Sequence, residues 1–127
     1  MTKQAHAAVL ILDDEPMILI DLNVALEDAG FRPVMAASAR KALAALDAER
    51  VDAAVLDVNL GGGETCEAVA ERLKAEGVPY LLHSGDLDRQ GELVRALEAP
   101  ILAKPTPARQ VAAAVRDLLA ADERRRA

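Results

Sequence analysis

The residues best suited to chemistry lie where short apolar runs of the sequence end. They comprise three carboxylates, one hydroxyl and one ammonium, namely Asp13, Asp14, Asp57, Ser84 and Lys104. Carboxylates brought close together repel one another, and burial adds a desolvation cost, so such a cluster favours a cation among its members. Oxygen ligands without Cys or His favour a hard ion such as Mg²⁺. With a cation and an ammonium neutralising phosphoryl oxygens, one of these carboxylates can act as a nucleophile toward phosphorus.

Five short apolar runs alternate with amphipathic segments, and this alternation predicts how the polar groups meet. The runs are Ala8–Leu12, Phe31–Ala36, Ala53–Leu56, Val78–Leu82 and Ile101–Ala103. The clear runs are continuous rather than alternating, which is typical of strands buried on both faces of a parallel sheet. Ligands bind beyond the carboxyl ends of the strands in such sheets. We therefore expect an α/β fold, a doubly wound five-stranded sheet with helices on both faces.

The amphipathic segments carry signals for where the helices begin and end. The expected helices are one that ends before Gly30, then Ser38–Ala48, Glu64–Glu76, Leu87–Glu98, and a last one from about Pro107 to Leu119. Gly30 and Gly77 stand where a left-handed residue ends a helix, and Ser38 is a favourable N-cap. The segment Leu87–Glu98 is the weakest, because its apolar set is thin and Gly91 interrupts it. Three arginines, residues 124–126, are expected to follow the last helix.

The composition of the 127-residue chain bounds its class. It fits a single domain over residues 1–127, with a core of about 8–120 and short flexible tails. The lone Cys66 excludes an internal disulfide and a multi-cysteine zinc site, and we expect it, like His83, to be a structural core residue. With 2% aromatic residues and a net charge of -6, the chain lacks the features of base-stacking nucleic-acid modules. We expect a cytoplasmic domain with no direct nucleic-acid binding and no membrane insertion.

The ordered motifs resemble those of the receiver domains of two-component response regulators, the CheY-like superfamily. The matches are Leu12-Asp13-Asp14-Glu15-Pro16, Leu56-Asp57, Ser84-Gly85 and Lys104-Pro105, and the resemblance runs from about Val9 to Leu119. Each motif is weak alone, but their ordered combination is specific. The resemblance implies a flavodoxin-like sheet with the strand order 2-1-3-4-5.

The resemblance also implies a role for each site residue. Asp57 would be the phosphoacceptor, which takes the phosphoryl group from a phosphohistidine of a sensor histidine kinase or a histidine phosphotransfer protein. Mg²⁺ would be held by Asp13, Asp14, Asp57 and the backbone carbonyl of Asn59. Ser84 and Lys104 would contact the phosphoryl group. The side chains of Asn59 and Asp86 would tune dephosphorylation.

A phosphoacceptor of this kind is a signalling module rather than an enzyme with a separate substrate. The resemblance implies that it catalyses its own phosphoryl transfer and slow autodephosphorylation. The resulting conformational switch would control the binding of a downstream protein that the sequence does not identify.

Three features of the sequence depart from the family pattern near the surface where receivers report their state. Ile101 stands where most receivers carry an aromatic residue, three positions before the lysine, and Thr106 replaces another frequent aromatic. The loop after the acceptor carries three consecutive glycines, residues 61–63, which raise its backbone freedom. We therefore expect phosphorylation to be retained but transmitted differently, through the segment Gly85–Glu98.

Alternative functions remain open at this point. The chain can be a stand-alone receiver, a receiver fragment of a larger regulator or hybrid kinase, or a degenerate receiver that acts by binding alone. A haloacid-dehalogenase-like phosphatase also uses a strand-end aspartate and Mg²⁺. That family requires Asp-x-Asp, whereas residues 57–59 read Asp-Val-Asn, which argues against it.

Overall fold

Parallel strands form the centre of the structure, a computed structural model that describes residues 7–85 and 91–126. The strands are β1 (Ala8–Leu12), β2 (Arg32–Ala36), β3 (Ala53–Leu56), β4 (Asn59–Gly61), β5 (Glu64–Thr65), β6 (Tyr80–Ser84) and β7 (Ile101–Ala103). The helices are α1 (Pro16–Asp28), α2 (Ala39–Ala48), α3 (Glu67–Ala75), α4 (Gly91–Leu97) and α5 (Ala108–Arg126). Five strands pair in parallel in the order β2-β1-β3-β6-β7, which confirms the predicted doubly wound sheet.

The continuous apolar strands separate two cores, one on each face of the sheet. Every residue of β1, β3 and β6 is buried. Successive side chains of a strand point to opposite faces, so Leu10 and Leu12 join the core beneath α2 and α3, whereas Val9 and Ile11 join the core beneath α1 and α5. Burial on both faces explains why these strands read as uninterrupted apolar runs.

The predicted helix ends at Gly30, Gly77 and Ser38 are present. Gly30 has φ 93° and Gly77 has φ 72°, the left-handed conformation that glycine adopts without strain. After each glycine the next residue donates its backbone N–H to a carbonyl five positions earlier, as in a Schellman motif. The Ser38 hydroxyl accepts a hydrogen bond from the Lys41 backbone N–H at 3.2 Å and so caps α2.

The segment after Asp57 differs from the expected loop and helix. Residues 59–65 form an antiparallel hairpin of β4 and β5, so α3 begins at Glu67 rather than at Glu64. The three glycines at its tip all have positive φ, and this conformation turns the chain back on itself. Cys66 is fully buried at the N-cap of α3, and burial raises the pKa of its thiol to about 12.

One other helix, α5, has an end that differs from the one expected. Helix α5 continues to Arg126, so the arginines do not follow the helix as expected. No glycine or proline interrupts the sequence beyond Leu119, and alanine, glutamate and arginine all favour helix. Helix α4 covers Gly91–Leu97, and residues 86–90 lie outside the described part of the chain. Among the described helices, none has both the length and the apolar character needed to cross a bilayer.

The single tyrosine ties α4 to the sheet, and its removal gives a first prediction. The buried Tyr80 donates a hydrogen bond from its hydroxyl to the Leu97 carbonyl at 3.3 Å, in the last turn of α4. Tyr80→Phe keeps the ring and leaves this carbonyl without the donor, so we expect a loss of about 1 kcal/mol in the free energy of unfolding. Urea denaturation followed by circular dichroism measures it. An unchanged unfolding midpoint and slope would show that the hydrogen bond contributes nothing.

Candidate functional site

The sheet register brings the acidic residues of the predicted site together. Strands β1 and β3 are neighbours, with Leu12 opposite Leu56, so Asp13 and Asp57 leave the sheet side by side. Each is anchored through its backbone N–H, which donates to a carbonyl of the adjacent strand. One carboxylate oxygen from each of Asp13, Asp14 and Asp57 lies within 4.8 Å of the others. Asp13 and Asp57 are only 1% and 4% exposed, whereas Asp14 is exposed.

Lys104 follows β7 and reaches back across the strand ends to these carboxylates. Its Nζ lies 2.9 Å from Oδ2 of Asp13 and 3.4 Å from Oδ2 of Asp57. The lysine side chain is 13% exposed, and its backbone N–H donates to the Ser84 carbonyl at 2.9 Å. Burial lowers the pKa of Lys104, but the contacts with Asp13 and Asp57 outweigh burial and the net shift is upward. The ammonium is therefore a permanent positive charge at the site.

Glu15, which the sequence motifs did not predict as a site residue, also contacts this lysine. Glu15 Oε1 lies 3.5 Å from Lys104 Nζ, and the Glu15 backbone N–H donates to Asp13 Oδ1 at 2.9 Å. Its place directly after Asp13 and Asp14 was the available signal. Because Glu15 is exposed, it contributes less to the electrostatic balance than the buried pair.

The surroundings of Asp57 raise its pKa, so its carboxyl group ionises at a higher pH than that of a free aspartate. Burial is the largest cause, and the neighbouring Asp13 and Asp14 add to it, so that the pKa of Asp57 rises to about 7 although Lys104 opposes the shift. A second positive charge would favour the ionised carboxylate. The donors on offer are carboxylate oxygens, which suit Mg²⁺. The chemistry of the donor set therefore fits a hydrated Mg²⁺ ion held by Asp13, Asp14 and Asp57.

The remaining residues predicted to belong to the site or its switch are Ser84, Asn59, Asp86 and Ile101. Ser84 is the buried last residue of β6, the strand beside β3, so its position is at the same edge of the sheet as Asp57. Asn59 begins the hairpin, and its side-chain Oδ1 accepts from the Gly61 N–H at 3.0 Å. Asp86 lies outside the described residues. Ile101 is half-buried in β7 and packs against the core on the α4 side.

The buried His83 in β6 is not part of this acidic cluster. It is 3% exposed, and neither ring nitrogen has a hydrogen-bond partner among the described residues. Burial is the largest cause that lowers its pKa, and the nearby Lys104 lowers it further, so the imidazole is held in its neutral form. Burial agrees with the structural role expected from the sequence.

Comparison with known proteins identifies the family. The family model of the response regulator receiver domain matches residues 9–116 of this chain. The chain belongs to the response regulator receiver family. Receiver domains generally bind Mg²⁺, which agrees with the donor set of the acidic cluster.

Two curated relatives and a solved structure show the extent of the similarity. The chain is 36% identical to the transcriptional regulatory protein YvrH of Bacillus subtilis (strain 168) over 66% of this chain and 37% of YvrH. It is 31% identical to the regulatory protein VirG of Rhizobium rhizogenes over 85% of this chain and 46% of VirG. The chain therefore spans less than half the length of these relatives. A CheY-like receiver domain protein from Methanospirillum hungatei JF-1 has the same fold, with a TM-score of 0.83 and 24% identity over 94% of this receiver and 98% of that chain.

The raised pKa of Asp57 predicts a pH-dependent stability. With a pKa of 3.8 in the unfolded chain and about 7 in the receiver, the folded state holds an additional proton between these values. This stabilisation is full below the lower value and is lost as the pH rises through the higher one. We therefore compare the wild type with Asp57→Asn between pH 3.8 and about 7, without divalent cations. Over this range the free energy of unfolding of the wild type should fall by more than about 1 kcal/mol relative to that of Asp57→Asn.

Chemical denaturation at several pH values, in the presence of a chelator, measures this difference. Asp117→Asn is the matched control, because Asp117 is exposed on α5 and should leave the pH dependence of the wild type unchanged. If wild type and Asp57→Asn showed the same pH dependence, the electrostatic account of the site would be wrong.

Proposed function

We propose that the chain is a phosphoacceptor in a two-component phosphorelay and that Asp57 accepts the phosphoryl group. The observation that carries the proposal is the placement of the buried Asp57 carboxylate between two further aspartates and the Lys104 ammonium, 3.4 Å away. A nucleophilic carboxylate, a fixed positive charge and oxygen ligands for a hard cation are the groups that phosphoryl transfer needs. Membership of the receiver family supports the same role.

Each side chain of the site has a role in the proposed phosphoryl transfer. An oxygen of Asp57 attacks phosphorus, the bond from phosphorus to the donor nitrogen breaks, and that nitrogen leaves with the electron pair. Lys104 neutralises a phosphoryl oxygen, and the Ser84 hydroxyl donates a hydrogen bond to another. Bound Mg²⁺ supplies further neutralisation of the phosphoryl oxygens. Asp13, Asp14 and the backbone carbonyl of Asn59 would hold it.

The donor and the readout involve other proteins. Response regulators act with histidine kinases in two-component signalling, so we propose a sensor histidine kinase or a histidine phosphotransfer protein as the phosphodonor. Phosphorylation would then control the binding of a downstream protein in the cytoplasm. This makes the chain a signalling phosphoacceptor rather than an enzyme with a separate substrate. Hydrolysis of the acyl phosphate would reset it, at a rate tuned by the side chains of Asn59 and Asp86.

Intact-mass measurement tests the phosphoacceptor proposal. With acetyl phosphate and Mg²⁺, we expect one added phosphoryl group on the wild type and none on Asp57→Asn or in the presence of a chelator. Asp117→Asn, whose side chain is exposed on α5, should be phosphorylated like the wild type. No adduct on the wild type would instead indicate a receiver that acts by binding alone. Turnover of a phosphomonoester would favour the phosphatase alternative.

The aliphatic Ile101 leads to a separate prediction about the readout. A branched side chain cannot swing a polar ring between the interior and the surface, so we propose that α4 itself rearranges. Tyr80 holds the last turn of α4 through the Leu97 carbonyl, and Ile101, Val94 and Leu97 pack on the same core. Phosphorylation should change the hydrogen exchange of residues 85–98 severalfold. Unchanged exchange in this segment, in a sample phosphorylated by mass, would contradict the proposal.

A further inference from the structure

The hairpin of β4 and β5 approaches the acidic cluster at one residue. A Cβ atom placed on Gly61 would lie 3.4 Å from Oδ2 of Asp14, at van der Waals contact. The same atom placed on Gly62 or Gly63 would meet nothing within 4 Å. All three glycines have positive φ, of 84°, 60° and 82° in chain order. All three thus have φ in the left-handed range, and of the three only a Cβ at Gly61 would contact the cluster.

We propose that Gly61 is a positioning residue for the cation site and that Glu64 anchors the hairpin that carries it. The missing side chain at Gly61 keeps the space beside the Asp14 carboxylate open to a hydrated ion. This inference rests on the proposed function, because it takes Mg²⁺ as the ion that the acidic cluster binds.

Gly61 affects the cation site through the space beside the Asp14 carboxylate. Asp14 is exposed, so the surrounding protein does not fix its carboxylate as burial fixes Asp13 and Asp57. Mg²⁺ demands near-octahedral geometry and keeps several of its waters when it binds to proteins. A methyl group in contact with the Asp14 oxygen would narrow the space beside that oxygen, which a hydrated ion needs.

Glu64 attaches the hairpin to helix α2. Glu64 Oε1 accepts a hydrogen bond of 2.9 Å from the backbone N–H of Ala39, the first residue of α2. The first N–H groups of a helix lack intrahelical partners, and the helix dipole favours a carboxylate there. At the base of the hairpin, the Cys66 N–H donates to the Val58 carbonyl at 3.1 Å. The hairpin is thus held both at α3 and at α2, and this keeps Gly61 close to Asp14.

A comparison of three glycine variants separates the contact with Asp14 from backbone strain. Mg²⁺ is titrated into Gly61→Ala, Gly62→Ala and Gly63→Ala of the full chain, and the apparent dissociation constant is read from amide chemical shifts. Because all three positions have positive φ, each variant carries a backbone penalty, and Gly62→Ala and Gly63→Ala show the effect of that penalty without a contact to Asp14. We expect Gly61→Ala to weaken Mg²⁺ binding by about tenfold or more relative to the other two, in the range found for residues that support metal ligands.

A second pair of variants tests the anchor and does not depend on the folding of Gly61→Ala. Glu64→Gln removes the charge but keeps an acceptor for the Ala39 N–H, whereas Glu64→Ala removes both. We expect Glu64→Ala to bind Mg²⁺ several times more weakly than Glu64→Gln, which should stay close to the wild type. Equal loss in both variants would point to long-range charge alone and would overturn the anchoring role.

The outcomes distinguish this inference from the proposed function. If the wild type binds Mg²⁺ and the three glycine variants bind it equally, the positioning role of Gly61 is wrong while the proposed function stands. If the wild type shows no saturable Mg²⁺ shifts, the cation requirement of the proposed function fails, and this inference fails with it. Circular dichroism and amide spectra of each variant establish that the fold is retained.

Discussion

The contact between the Lys104 ammonium and two buried carboxylates is the interaction on which the rest of the site depends. Asp13 and Asp57 leave neighbouring strands side by side, and both are almost fully buried. Two carboxylates in that position repel each other and have each lost hydration. Lys104 lies within 3.4 Å of both and offsets part of this cost. One ammonium cannot balance the cluster of three carboxylates, so the site keeps an excess of negative charge.

This excess of negative charge links the stability of the folded protein to the binding of a cation. Burial, together with the neighbouring aspartates, raises the pKa of Asp57. The same features make the ionised site attract a cation strongly. In the proposed reaction, phosphorylation would replace the carboxylate of Asp57 with an acyl phosphate of greater negative charge, and this would increase the demand for positive charge from Lys104 and from a bound ion. A ligand shifts a conformational equilibrium only by its differential affinity for the two states. Under the proposed function, the changed demand for positive charge would be the source of that difference.

The central sheet and the acidic cluster could be predicted from the sequence because one rule governs both. Continuous apolar runs indicate parallel strands, and parallel strands place their carboxyl ends at one edge, where Asp13 and Asp57 must meet. The hairpin after Asp57 could not be predicted, because its two strands are short and its turn depends on the backbone of three glycines rather than on apolar periodicity. The contact of Glu15 with Lys104 escaped prediction for another reason. It joins residues 89 positions apart and depends on how long side chains are oriented.

The residues around α4 constrain how a change at Asp57 reaches the surface. Ile101 is β-branched, so its side chain is stiff about χ1 and cannot report by changing rotamer as an aromatic ring does. It packs with Val94 and Leu97 against the core that contains Leu82, the neighbour of Ile101 across β6 and β7. A shift at the carboxyl end of β6, where Ser84 lies, therefore reaches α4 through close-packed aliphatic contacts. Since Tyr80 holds the last turn of the same helix, a displacement of α4 must strain or break the hydrogen bond to Leu97. Helix α4, which we propose as the readout surface, is thus coupled to the sheet by packing and one tyrosine hydroxyl, rather than by a ring at position 101.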